Sequence, residues 1–300
     1  MDKKTIVVCG ATGNQGGAVV QSLISEQTWN VVALSRSPDN DRTAALKTQG
    51  VQVVGADLQD KPSLFRAFKD AYGVFGVTQP WSPDYKKCNA AAEVEQGRNI
   101  VDACLHAGVK HLVLSTVFHF DRAKTGIPHV DSKLTIEEYT AITGVPSTVL
   151  RPGSFMENIG RDYFPIKKGS VKGYVDGDAK VPYVACRDIG KIAVVIFANP
   201  PEYLGKQIDV IGDLVSGDDL CQILIRLRNG ERFKYKTIPR LLMRLFAKEF
   251  YGMRVAFEKY GHEPYPQAIL DAIDNCRRID PQMMTVESYL KSKGYDDRVL

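Results

Sequence analysis

Short apolar runs and helical repeats alternate along the first half of the chain. "TIVVCG" (5–10) is a continuous run rich in β-branched residues, the pattern of a strand covered on both faces. Val19, Val20, Leu23 and Ile24 then recur at helical spacing. Further strands are expected at 30–36, 51–58, 72–79 and 110–117, with helices at 42–50, 60–71 and about 90–107. A helix at about 130–143 and a strand at 146–152 continue the rhythm. Such alternation needs crossover connections, so it predicts an α/β fold with a doubly wound parallel sheet.

After residue 152 the rhythm breaks into loops and short strands. A helix and a strand near 184–212 should complete the first domain, 1–152. Residues 153–183 and 213–300 are then expected to form a smaller, mainly helical C-terminal domain. Within it, 239–261 reads as one helix with Leu241, Leu242, Leu245 and Phe246 on one face. Arg240, Arg244, Lys248, Arg254 and Lys259 lie among them. The segment reads as a helical cap with a solvated basic face in preference to a membrane-surface or partner-binding helix.

Composition narrows the class. With 300 residues, 44% hydrophobic and 25% charged, the chain suits a globular protein with a sizeable core. The net charge of +4 is mild; it favours an anionic ligand weakly and gives no ground for direct nucleic-acid binding. The six cysteines form no CxxC pair and match no zinc spacing, so no metal site is expected. No signal-peptide pattern and no membrane-length apolar run occur. These features place the protein in the cytoplasm, with the nucleus as a second location, and away from membranes.

The chemistry starts at "CGATGNQGG" (9–17), where Gly10, Gly13 and Gly16 fall between the first strand and the first helix. In that setting the first glycine makes the turn, the second admits a pyrophosphate, and the third lets helix and sheet close up. The helix N-terminus adds free N–H groups and positive dipole charge. A Rossmann dinucleotide site follows. The second strand ends Leu34-Ser35-Arg36-Ser37, with no carboxylate to accept from a ribose 2′-hydroxyl. Arg36 offers a charged fork for a 2′-phosphate, and Ser35 and Ser37 offer hydroxyl donors. The expected cofactor is therefore NADP(H).

The GxxGxxG spacing resembles the extended short-chain dehydrogenase superfamily. That resemblance implies that Asp57 and Leu58 line the adenine, and that Thr78 and Gln79 face the middle of the cofactor. Reductases of this superfamily carry a Tyr-x-x-x-Lys pair after the fifth strand, one helical turn apart. Tyr163 to Lys167 and Tyr289 to Lys293 have the spacing but not the place. At the expected place stands "HVDSK": His129 replaces the tyrosine, and Lys133 is intact. Ser115 and Thr116 could supply the usual hydroxyl beside them, which leaves Lys133, His129 and Ser115 as the catalytic candidates.

Together, "GATGNQGG", the basic end of strand two, "HVDSKLTIEEY", "GVPSTVLRPGSFMEN" and "VACRDIG" resemble the NmrA-like family, most of all its NADPH-sensor branch. The resemblance runs from residue 5 to about 210, and more loosely to the end. It implies that Gly10, Thr12, Gly13, Asn14, Gln15 and Gly16 hold the pyrophosphate, Arg36 the 2′-phosphate, Asp57 the adenine and Lys133 the nicotinamide ribose. Pro152, Phe155 and Asn158 would line the nicotinamide side. The function implied is a nucleotide or redox sensor that regulates another protein, with dehydrogenase activity reduced or lost and loops near 80–90 and 155–182 responding to NADP(H). A homodimer is compatible with it. The alternative is an NADPH-dependent reductase of a quinone or similar carbonyl, with Trp81, Phe118, Phe120, Phe155 and Met156 as candidate pocket residues.

Overall fold

A computed structural model of the chain describes residues 3–82, 87–121, 123–161, 164–167 and 169–296, with residue 246 by its backbone alone. It begins β1 (Lys4–Val8), α1 (Asn14–Glu26), β2 (Trp29–Ser35), α2 (Asp41–Thr48), β3 (Gln52–Gly55) and α3 (Lys61–Ala67). Next come β4 (Gly73–Val77), α4 (Ala90–Ala107), β5 (His111–Ser115), α5 (Pro128–Thr143) and β6 (Ser147–Pro152). Four short strands follow: β7 (Ser154–Phe155), β8 (Ile166–Lys167), β9 (Ser170–Gly173) and β10 (Val181–Val184). Then come α6 (Cys186–Ala198), α7 (Pro200–Tyr203), β11 (Gln207–Val210) and β12 (Asp213–Val215). The chain ends α8 (Gly217–Leu227), β13 (Lys234–Thr237), α9 (Arg240–Phe246), α10 (Lys248–Tyr260), α11 (Gln267–Ile279) and α12 (Val286–Ser292).

Two compact units divide these elements: residues 1–151 with 189–208, and 152–188 with 209–300. The first is built on a seven-stranded sheet in the order β11-β6-β5-β4-β1-β2-β3. Strands β1 to β6 pair in parallel throughout. Every residue of β5 is buried, as are Ile6, Val7 and Val8 of β1; the continuous apolar runs are the mark of strands covered on both faces. Strand order reverses at β1, which has β4 on one side and β2 on the other. Ligands of open α/β sheets bind outside the carboxyl ends of the strands at such a switch.

The second unit holds two three-stranded sheets, β12-β10-β7 and β13-β9-β8, and the helices α8 to α12. Here the structure corrects the expected single helix over 239–261. It is two helices, α9 and α10, broken at Ala247 with φ −144 and ψ 56. The apolar face of α9 is also reversed. Met243 is the buried residue, while Leu241, Leu242 and Leu245 are 67%, 49% and 59% exposed; the side chain of Phe246 lies outside the described residues. The basic face is only partly solvated. Arg254 is buried, with its Nε donating to Glu258 Oε1 at 2.6 Å and Nη2 to Asp176 Oδ1 at 2.5 Å. Arg240 binds the same two carboxylates.

No helix among the described residues is long and apolar enough to cross a membrane.

Candidate nucleotide site

The loop after β1 is built from backbone. Gly10 has φ +62, a left-handed conformation that glycine adopts without penalty. The Gly13 N–H donates to the Gly10 carbonyl at 2.9 Å and closes the turn. Gly16 then lies directly on that turn: a Cβ there would stand 2.3 Å from the Gly10 oxygen and 2.6 Å from the Cys9 oxygen. Helix α1 starts at Asn14 with Gly13 as its N-cap. No side chain caps it, and its first turn carries no acidic residue. The leading N–H groups thus keep no intrahelical acceptor, and the helix dipole adds positive charge. A bare, anion-seeking cradle of this kind fits a pyrophosphate. Thr12 and Gln15 are half-buried beside it, and Asn14 is exposed. Beneath the loop, burial pushes the Cys9 thiol up to about 12, so it is no nucleophile at neutral pH.

Arg36 follows β2, exposed, and its guanidinium has no partner among the described residues. Ser35 is less free than expected. Its Oγ donates to the Ser37 carbonyl at 3.0 Å and accepts from the Ser37 N–H at 3.1 Å, so this hydroxyl shapes the turn. Asp57, after β3, accepts from the Gln59 N–H through Oδ1 at 2.9 Å, which leaves Oδ2. Leu58 packs partly buried against the core, and its carbonyl accepts from Asn99 Nδ2 at 2.9 Å.

On the other side of the switch, β4 runs into Thr78, which is buried, and Gln79, which is exposed. Lys133 donates to the Thr78 carbonyl at 3.0 Å and to Thr78 Oγ1 at 2.7 Å, and pairs with Glu93 Oε1 at 2.8 Å. Its three protons are accounted for. Ser115, buried at the end of β5, donates to Gln15 Oε1 at 2.6 Å and so ties that strand to the glycine loop. His129 is half-buried in the first turn of α5, 5.3 Å from Trp81 between ring centroids. Phe118 and Phe120 meet edge to face at 5.1 Å.

The remaining expected residues belong to the second unit. Pro152 ends β6, Phe155 pairs with Val184 across β7 and β10, and Asn158 closes the 3-10 turn Met156–Asn158. Tyr289 lies in α12, and Tyr163 lies outside the described residues.

Two buried charge pairs were not expected. Glu93 is one half of the first. In the second, Arg151 Nε donates to Glu137 Oε1 at 3.1 Å and Oε2 at 3.0 Å, its Nη2 donates to Oε2, and Thr116 Oγ1 donates to Oε1 at 2.5 Å. Thr116 is therefore a support for Glu137 and not a spare hydroxyl. A signal for the first pair was present in the sequence: Glu93 falls four residues before Gly97 and seven before Ile100, on the buried stripe of α4.

The NmrA-like family pattern matches residues 2–297. An NmrA-like family domain-containing oxidoreductase of Cladobotryum, FrzB, is 32% identical over 255 residues, 78% of this chain and 76% of its own. A solved structure of NmrA, described as a negative transcriptional regulator and complexed with NADP, aligns with a TM-score of 0.76 at 21% identity, covering 96% of this chain and 94% of that one. The NADPH-dependent quinone oxidoreductase QOR2 of Escherichia coli, complexed with NADPH, aligns with a TM-score of 0.74 at 20% identity, covering 96% of this chain and 99% of its own. At such identities the two structures establish the fold.

Proposed function

The chain belongs to the NmrA-like family, and on that premise we propose that it binds NADP(H) and works as a nucleotide sensor for a partner protein, with little or no turnover. Gly10, Gly13 and Gly16 with the first turn of α1 hold the pyrophosphate, and Arg36 holds the 2′-phosphate. Asp57 and Leu58 take the adenine end. Thr78 and Gln79 face the middle of the cofactor, and Lys133 takes the nicotinamide ribose. NmrA, solved with NADP and also with NAD, supports dinucleotide binding on this fold. The open Arg36, with no carboxylate beside it, supports the phosphorylated form.

One observation carries the sensor half of the reading. A reductase of this kind needs a side chain ready to move a proton next to the hydride that NADPH supplies when bound. Of the three catalytic candidates two have no proton ready, since the Ser115 proton is given to Gln15 and the three Lys133 protons to Thr78 and Glu93, which leaves His129 as the remaining candidate. A sensor requires only that a partner bind the loaded and empty forms with different affinity. Of the loops expected to respond, residues 83–86, 162, 163 and 168 lie outside the described residues.

The second reading is an NADPH-dependent reductase of a quinone or similar carbonyl. It is favoured by FrzB, which is named an oxidoreductase, and by the likeness to QOR2. Titration with NADPH, NADP⁺, NADH and NAD⁺, followed by NADPH consumption over a quinone panel, separates the two. Tight binding of the phosphorylated pair without consumption is the expected result. Steady consumption with any quinone would establish the reductase.

A further inference from the structure

Glu93 lies in the first turn of α4 with 0% exposure, a place where a carboxylate survives only when paired. Its Oε1 accepts from Thr78 Oγ1 at 2.8 Å and pairs with Lys133 Nζ at 2.8 Å; its Oε2 accepts from Ser132 Oγ at 2.5 Å. One proton assignment satisfies every group. Thr78 Oγ1 donates to Glu93 while accepting from Lys133. The helix N-terminus adds its own stabilisation of the negative charge. The geometry is held from below. One turn further along each helix, a Cβ on Gly97 would come within 2.5 Å of the Ile136 side chain, so α4 and α5 are tightly packed one turn from the charge pair. The pair is also asymmetric: the Lys133 side chain keeps 10% exposure and Glu93 none.

We propose that Glu93 is the positioning residue of the nicotinamide end. It clamps the Lys133 ammonium against Thr78, so that a ribose hydroxyl entering from the exposed side shares the Lys133 proton now given to the Thr78 carbonyl at 3.0 Å, and Glu93 does not touch the nucleotide itself. The proposal rests on the reading that Lys133 meets the nicotinamide ribose. Glu93 also cancels the Lys133 charge, so Lys133 orients the ribose as a hydrogen-bond donor and lends no positive charge to chemistry beside it.

The test compares two ligands. NADP⁺ reaches the Lys133 end; adenosine 2′,5′-bisphosphate carries the 2′-phosphate but no nicotinamide ribose. Calorimetric titrations would use the full chain, Glu93→Gln, Lys133→Met and the double variant. Both single variants should weaken NADP⁺ about tenfold, the scale of one charge-assisted hydrogen bond, and leave the bisphosphate within about twofold. The double variant should match Lys133→Met, because Glu93 acts only through Lys133. Wild-type NADP⁺ affinity in Glu93→Gln beside a weakened Lys133→Met would overturn the role of Glu93 and leave the Lys133 contact standing. Unchanged affinity in Lys133→Met would overturn the contact, and the proposal with it. Equal losses for both ligands would mean a merely structural pair and also overturn it. If Glu93→Gln does not fold, Ser132→Ala removes one hydrogen bond and keeps both charges. A loss of about threefold for NADP⁺ alone then supports the proposal; no loss, or a loss for both ligands, overturns it.

Discussion

The two ends of the candidate site are built in opposite ways. Around Gly10, Gly16 and Arg36 polar groups are left open: the N-terminus of α1 is uncapped by any side chain, and the Arg36 guanidinium has no partner among the described residues. Around Lys133 every donor already has its acceptor within the fold. Open groups can recognise a ligand without first giving anything up. Closed groups hold the scaffold, because a buried polar atom left unpaired costs more than a made bond contributes. Affinity should therefore respond most to changes at the open end, and stability to changes among the buried groups.

Gly16→Ala is the strongest way to break this contrast. The new Cβ would meet the Gly10 oxygen at 2.3 Å, and a backbone atom cannot rotate aside as a flexible side chain could. Overpacking of this kind costs about 1–3 kcal/mol of stability. A displaced loop should lower NADP⁺ affinity about 100-fold or more, since this glycine sets the helix against the pyrophosphate. Titration calorimetry with parallel thermal unfolding reads both quantities. A variant that binds NADP⁺ as the parent does would show that the cradle is not the phosphate site.

His111 tests the closed interior away from the ligand. It opens β5, fully buried, with Nε2 2.8 Å from Thr148 Oγ1. Thr148 Oγ1 donates its own proton to the Tyr203 carbonyl at 2.8 Å, so Nε2 must be the protonated nitrogen and Nδ1 the bare one. Among the described residues Nδ1 has no hydrogen-bond partner, so a second proton there would find no acceptor. Burial accordingly lowers the imidazole from 6.5 to about 4. Between those values the unfolded chain binds a proton that the folded chain refuses. Stability is then complete above about pH 6.5 and falls as pH drops toward 4, by about 3 kcal/mol over the window. Urea unfolding at pH 7 and pH 4.5 should show this loss in the parent and a smaller one in His111→Gln. An equal loss in both would assign it to other groups.

The open end was legible from sequence for a physical reason: its parts act through neighbours in the chain. A turn, a helix start and a strand end each announce themselves within a few residues, and so Gly10, Gly16 and Arg36 could be proposed from local pattern, while Asp57 came from the family resemblance. The closed end is assembled over distance. Glu93 meets Thr78 across 15 residues and Ser132 across 39. Read alone, a glutamate near the start of a helix looks like a solvated face or a dipole partner, and Glu93 was missed although it falls on the apolar stripe of α4. The second unit failed differently. The run 239–261 has helical periodicity throughout, but the turn at Ala247 and the inward placement of Met243 depend on tertiary packing that local pattern does not encode.

Arg36→Ala sharpens the comparison at an intermediate scale. Loss of a charged fork to a phosphate should cost NADP⁺ about 2 kcal/mol, near thirtyfold, and leave NAD⁺ within about twofold. Stability should not move, because an exposed and unpaired side chain supports nothing else. Titration of both nucleotides against the variant checks it. Parallel losses would place Arg36 away from the 2′-phosphate.

Asp57→Asn is the smallest and most discriminating change, because Asp57 belongs partly to each kind of region. Its Oδ1 already accepts from the Gln59 N–H at 2.9 Å, which is the work of a turn-forming aspartate, while Oδ2 is left for a ligand. Asparagine keeps the Oδ1 acceptor and so keeps the turn. It replaces Oδ2 with an amide donor, which would face the donating amine of an adenine. If Asp57 reads the adenine, NADP⁺ affinity should fall about fivefold, near 1 kcal/mol, with unfolding unchanged. If it only shapes the turn, Asn should bind as the parent does, and Asp57→Ala should lower stability by a similar amount without a separate effect on affinity. The two variants together place the boundary between open and closed groups at a single carboxylate.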